Sequence, residues 1–236
     1  MNHVSRFLSI GWFVRRSLFP LCLLMTSGAG LHAQAKKSPP QIYCVAYAPN
    51  LAELFVKAAD DRYQRIEVST ANVLELSARK AEGGKLSLYG PANAEGKHEL
   101  AAEVDMGQTS HPLVILHPAA GAQPPYATKV VDADPGTFTL GSYLLVNLSP
   151  YAIRVTQGKE SVEVLPSATH IYQPKSPEGE PLAITIDYKL NEEWQLLSSS
   201  HWSHRQDRRS LVCIVADPAT QRMTVKSIPL RPLAMP

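Results

Sequence analysis

Charge of one sign, cysteine, aromatic rings and long apolar runs are all scarce in this chain of 236 residues. Lys and Arg number 23 against 21 Asp and Glu. Without a clustered cationic excess there is no electrostatic case for nucleic acid, whose binding needs Lys and Arg to displace counterions. An anionic membrane surface is unsupported for the same reason. Aromatic residues make up 7%, which argues against a sugar platform of several stacking rings. No Gly-x-Ser-x-Gly elbow, Gly-rich phosphate loop, Cys-x-x-Cys pair or dinucleotide fingerprint occurs. No stretch sustains the i, i+3, i+4, i+7 spacing of an amphipathic helix. The expectation is therefore a protein that is not an enzyme and needs no cofactor. A hydrolase whose triad is assembled from distant residues is the remaining catalytic alternative.

The N-terminus reads as an export signal. Arg6, Arg15 and Arg16 supply positive charge with no intervening acid, Ser17 to Thr26 is a short apolar core, and Leu31-His32-Ala33 offers a cleavage site before Gln34. The apolar run is shorter than the roughly 20 residues of a membrane-spanning helix. Residues 1–33 are thus a signal peptide, the mature chain has no transmembrane span, and the protein is exported, periplasmic or extracellular. Removing Arg6, Arg15 and Arg16 leaves 20 basic and 21 acidic residues, a net charge of −1. Residues 34–40 (QAKKSPP) read as a disordered leader.

Beyond residue 40 the dominant period is two, as in Ser161-Val-Glu-Val, Ala183-Ile-Thr-Ile-Asp-Tyr and Met223-Thr-Val-Lys-Ser-Ile. Such alternation marks half-buried strands. Pro112-Leu-Val-Ile-Leu and Leu211-Val-Cys-Ile-Val are instead continuous apolar runs, which predicts strands buried on both faces. The order of motifs recurs at an offset near one hundred. Ile42 to Pro49 aligns with Tyr143 to Pro150, Ile66 to Val68 with Val162 to Val164, Leu113 to Ala120 with Val212 to Ala219, and Tyr126 to Val131 with Arg222 to Ile228. A period of that length suits a small domain. The fold expected is all-β: two tandem immunoglobulin-like β-sandwich repeats, 41–135 and 141–232, each of about six or seven strands. One larger sandwich with exchanged strands is the competing architecture. Leu51 to Ala59 is helical by propensity, but its counterpart at Ala152 to Thr156 is strand-like, so both are taken as strands.

Cys44 and Cys213 are the cysteines of the mature chain, each within an apolar run. Two readings stand: buried free thiols, or a disulfide permitted by an oxidising compartment.

The densest group of functional atoms runs from Ser198 to Arg209 and holds His201, Trp202, His204, Arg205, Arg208 and Arg209. As a binding site it would grip an acidic or sugar ligand, with Trp202 stacking and the arginines donating. Alternatively it is a solvated hairpin with Trp202 turned inward. On a strand His201 and His204 face opposite sides and cannot share a metal, and no third ligand follows. Asp132-Ala-Asp134-Pro-Gly136 has the rhythm of a calcium loop but lacks the distal ligands, and a turn explains it as well. No metal is expected.

The phrases Tyr43 to Pro49, Gly141 to Pro150 (GSYLLVNLSP) and Arg208-Arg-Ser-Leu-Val resemble exported bacterial β-sandwich proteins of unassigned activity. The order strand, Asn-Leu-Ser-Pro, strand, Gly-Lys, strand also looks like the periplasmic accessory proteins of alginate O-acetylation, and is similar to tandem immunoglobulin-like envelope domains. The resemblance implies a binding or scaffolding role in the cell envelope, with an envelope protein or a polysaccharide as partner, and assigns no catalytic residue.

Overall fold

The computed structural model describes residues 38–58, 60–76, 84–119, 121–217 and 220–230. The signal-peptide reading therefore lies outside the described residues. The described part is all-β, sixteen strands in four sheets, with no helix long and apolar enough to cross a membrane. Its first half contains β1 (Gln41–Cys44), β2 (Leu54–Lys57), β3 (Tyr63–Ile66), β4 (Leu74–Glu75), β5 (Lys85–Ala92), β6 (His98–Asp105), β7 (Pro112–Pro118) and β8 (Tyr126–Asp132). These form two four-stranded sheets, in the orders β4-β1-β7-β8 and β3-β2-β5-β6. The second half contains β9 (Tyr143–Asn147), β10 (Ile153–Gln157), β11 (Glu160–Val164), β12 (Thr169–Tyr172), β13 (Pro181–Leu190), β14 (Glu193–Ser203), β15 (Arg209–Ala216) and β16 (Met223–Leu230). Its sheets, β12-β9-β15-β16 and β11-β10-β13-β14, repeat the first orders with eight added to every number. Each half thus has eight strands rather than six or seven. In both, the first strand runs parallel to the seventh, Ile42 beside Val114 and Leu144 beside Leu211. No sheet mixes strands from the two halves, so the tandem arrangement holds and the strand-exchanged one does not.

Side-chain alternation explains how the four sheets stack. In β1 and β7, Ile42, Cys44, Val114 and Leu116 face the sheet of β2 and β5 and form one core with Leu54 and Leu88. In β9 and β15, Tyr143, Leu145, Val212 and Ile214 face the sheet of β10 and β13 and form another with Ile153 and Ile184. The intervening residues point the other way. Tyr43, Val45, Leu113 and Ile115 meet Leu144, Val146, Leu211 and Cys213 in a middle core that joins the halves. The sheets containing β1 and β9 are therefore inner sheets, covered on both faces, and this is why their strands read as continuous apolar runs. The other two sheets each keep one face in water and alternate accordingly.

Three expectations need correcting. Leu113 faces the middle core whereas Val212 faces the core of its own half, so that alignment is one residue out of step; a one-residue slip exchanges the faces of a strand. Residues 38–40, part of the leader read as disordered, are tied to the sandwich: the Ser38 amide donates to the Ser110 carbonyl (2.9 Å) and the Pro40 carbonyl accepts from Leu76 (2.7 Å). Of the two cysteine readings, the bridge does not form. Cys44 and Cys213 are buried and free, because Cys44 points into the first core and Cys213 into the middle one.

Candidate functional site

Six residues stood out in the sequence, and the fold sends them in different directions. Trp202 is on β14, facing inward. Its ring lies 4.9 Å from that of Tyr143, whose hydroxyl donates to the Ser203 carbonyl at 2.8 Å. Half-buried against the second sandwich core, Trp202 is no open stacking platform. His201, its neighbour on the same strand, is exposed on the opposite face. His204 follows the strand and is buried, with its Nδ1 unpartnered. The following turn lies over Gly141, whose backbone at φ +82° sits where a Cβ would come 3.7 Å from Gln206 Cα.

The three arginines also separate. Arg205 and Arg208 remain on the surface and share one carboxylate: Arg205 Nη2 is 2.7 Å and Arg208 Nε 3.6 Å from Asp207. The hydrogen bond from Arg205 holds the Asp207 carboxyl below its ordinary value. Arg209 is buried. Its Nη1 donates to the carbonyls of Ala133 (3.0 Å) and Phe138 (3.4 Å), and its guanidinium lies 5.2 Å over the Phe138 ring. It clamps the chain segment that joins the halves. Burial lowers its pKa, opposed in part by Asp134. The Asp-x-Asp pair is occupied with backbone hydrogen bonds: Asp132, at the end of β8, accepts from the Ser110 and His111 amides across the sheet, and Asp134 accepts from the Gly136 amide in the turn that follows. Among the described residues no group of three or more His, Cys, Asp or Glu could hold a metal ion.

The outer face of the sheet β3-β2-β5-β6 carries a set of side chains that local sequence inspection passes over. Phe55, Tyr63, Tyr89 and His98 form one contiguous row of rings. Tyr63 stacks on His98 at 4.0 Å with 18° between planes, Phe55 meets His98 edge-on at 4.9 Å, and Tyr89 meets Tyr63 edge-on at 5.1 Å. The His98 ring is fixed by a hydrogen bond of 2.7 Å between its Nδ1 and the Gly90 carbonyl. Strand register places them: Phe55 pairs with Tyr89, and Lys57 with Tyr63, while Leu54 and Val56 point into the core. Four residues spread over 44 positions make no local motif. The one signal available was a ring at an outward position, Phe55 between the inward Leu54 and Val56, where alternation calls for a polar side chain.

The corresponding face of the second half is different. Arg154 chelates Asp187 Oδ2 through Nε (3.1 Å) and Nη2 (2.8 Å) and lies 4.5 Å over the Trp194 ring. Its polar atoms are directed at one another. Between the edges β8 and β12 runs an open groove of about 450 Å³, lined by Val131, Leu144, Ile171, Lys129 and His170. Lys129 Nζ crosses it to the Ser167 carbonyl at 2.7 Å.

Neither a protein-family model nor a curated protein matches the chain. The chain is similar to a crystal structure from Bacteroides ovatus, of a protein provisionally assigned to cell adhesion. The two are 9% identical, the match covers 84% of this chain and 99% of that one, and the TM-score is 0.24.

Proposed function

We propose that this is an exported, non-catalytic binding or scaffolding protein of the cell envelope, with the outer face of the sheet β3-β2-β5-β6 as its recognition surface. One observation carries the reading: the contiguous row Phe55, His98, Tyr63 and Tyr89 on a solvent-facing sheet. Rings at an outward face supply large contact area at low entropic cost, and aromatic side chains dominate the energetics of interfaces. The three-core stack supports the reading, because a rigid sheet presents that row without rearrangement. Export rests on the features of residues 1–33.

The partner is an envelope protein or a polysaccharide. The row of rings favours keeping the polysaccharide reading, since flat rings with hydroxyls at their ends suit sugar faces. The test is mild crosslinking of the tagged full chain in its native envelope, beside a Tyr63→Ala/Tyr89→Ala variant, with protein and sugar both analysed. A defined species captured by the wild type and lost in the variant, at equal melting temperature, supports the proposal. Equal capture by both would remove the ring face from it.

A further inference from the structure

We infer that β14 is a self-pairing edge, through which two copies of this chain join antiparallel about a two-fold axis within Ser199 to His201. Sheet edges leave backbone N–H and C=O groups without a strand partner, and folded proteins guard them with charge, proline or short length. Seven of the eight edge strands here are guarded in this way. β4 has two residues and β12 four. Arg65 stands on β3, Glu99 and Glu103 on β6, Lys129 on β8, Glu160 and Glu163 on β11, and Lys226 and Pro229 on β16. The edge of β6 is approached in addition by β8, where Thr128 Oγ1 donates to the Glu103 carbonyl at 2.9 Å.

Apart from a charge at its first residue, Glu193, β14 has none of these protections. It is the longest strand, 11 residues, and from Trp194 to Ser203 it contains no Lys, Arg, Asp, Glu or Pro. It pairs with β13 on one side and no strand of the described residues lies along the other. Its single irregularity, at Leu197 opposite the step from Ile186 to Asp187, leaves Ser198 to Ser203 in regular register. Leu196, the most exposed large apolar side chain among the described residues at 64%, sits on the same strand.

The occupant follows from charge. An antiparallel pair about Ser199 to His201 sets serine, histidine and tryptophan against the same residues of the partner, with no Lys, Arg, Asp or Glu facing another. The same operation on β8 would bring Lys129 onto its own copy, which like-charge repulsion disfavours. A second copy therefore fits β14 along its length, whereas on β8 it is resisted by Lys129.

Sedimentation velocity over a concentration series tests this, with Ser199→Lys and Ser199→Glu as variants. Ser199 is exposed, so neither change disturbs the fold, which an unaltered melting temperature verifies. The wild type is expected to dimerise. Each variant alone sets like charges across the axis and raises the dissociation constant at least tenfold, and an equimolar mixture of the two restores the dimer. A wild type that stays monomeric would assign the edge to some other strand and overturn the proposal. So would a dimer indifferent to both variants, or one that mixing does not restore.

Discussion

Asn147 uses every polar atom of its buried side chain. Its Nδ2 donates to the carbonyls of Tyr151 (2.7 Å) and Val164 (2.9 Å), and its Oδ1 accepts from the Ser149 amide (3.0 Å) and hydroxyl (2.7 Å). The Asn-Leu-Ser-Pro phrase is thus a turn lock. In the first half the corresponding turn is held by a different device: the Tyr126 hydroxyl accepts from the Ala48 amide (3.0 Å) and donates to the Leu51 carbonyl (2.6 Å). Both leave buried backbone groups unpaired when removed. Asn147→Ala is expected to lower stability by about 2–4 kcal/mol and Tyr126→Phe by about 1–3 kcal/mol, measured by denaturant unfolding. Buried protons add a pH dependence. Burial raises Tyr43 to about 12, Cys44 to about 11, and Tyr126 above its ordinary value. The folded chain holds these protons more tightly than the unfolded one, so their contribution is complete below about pH 8.5, near the ordinary thiol value. It is lost as pH rises toward 12. The melting temperature should be level from pH 7 to about 8.5 and fall above it; a rise would contradict this assignment.

At the scale of elements, the Ser198 to Arg209 segment shows how far a sequence cluster can be from a site. Adjacent residues on a strand face opposite sides, so His201 and Trp202 part at once, and the turn then buries His204 and leaves Arg205 in water. Trp202→Ala should cost about 2–4 kcal/mol, since it opens a void beside Tyr143. Arg205→Ala should leave the melting temperature unchanged. The reverse pattern in thermal melts would return Trp202 to the surface. The fold was far more legible than the site. Strands were readable because period two survives in β11, β13 and β16, and the double burial of β7 and β15 was readable because both are unbroken apolar runs. Strand register was not, since Leu113 and Val212 look alike although they face different cores. The ring row was hidden because Phe55, Tyr63, Tyr89 and His98 meet only through pairing among four strands. Arg209 looked like a surface donor, because nothing near it in the chain announces that the carbonyls of Ala133 and Phe138 will reach it.

At the scale of the whole molecule, the middle core decides how the protein behaves. Tyr43, Leu113 and Ile115 from one half and Leu144, Leu211 and Cys213 from the other are each 4% exposed or less. Split apart, each half would present an apolar inner sheet to water, with about 1.5–3 kcal/mol lost for each large side chain uncovered. Phe138 and Arg209 add a clamp at the connection. Two sandwiches so joined should unfold together, and a lesion in the middle core should weaken both. Differential scanning calorimetry of the wild type and Ile115→Ala reads this directly. One cooperative transition is predicted, with calorimetric and van't Hoff enthalpies equal, and the variant should keep one transition at lower temperature, destabilised by about 2–5 kcal/mol. Two resolved transitions in the wild type, with only one of them shifted in Ile115→Ala, would contradict a single rigid stack.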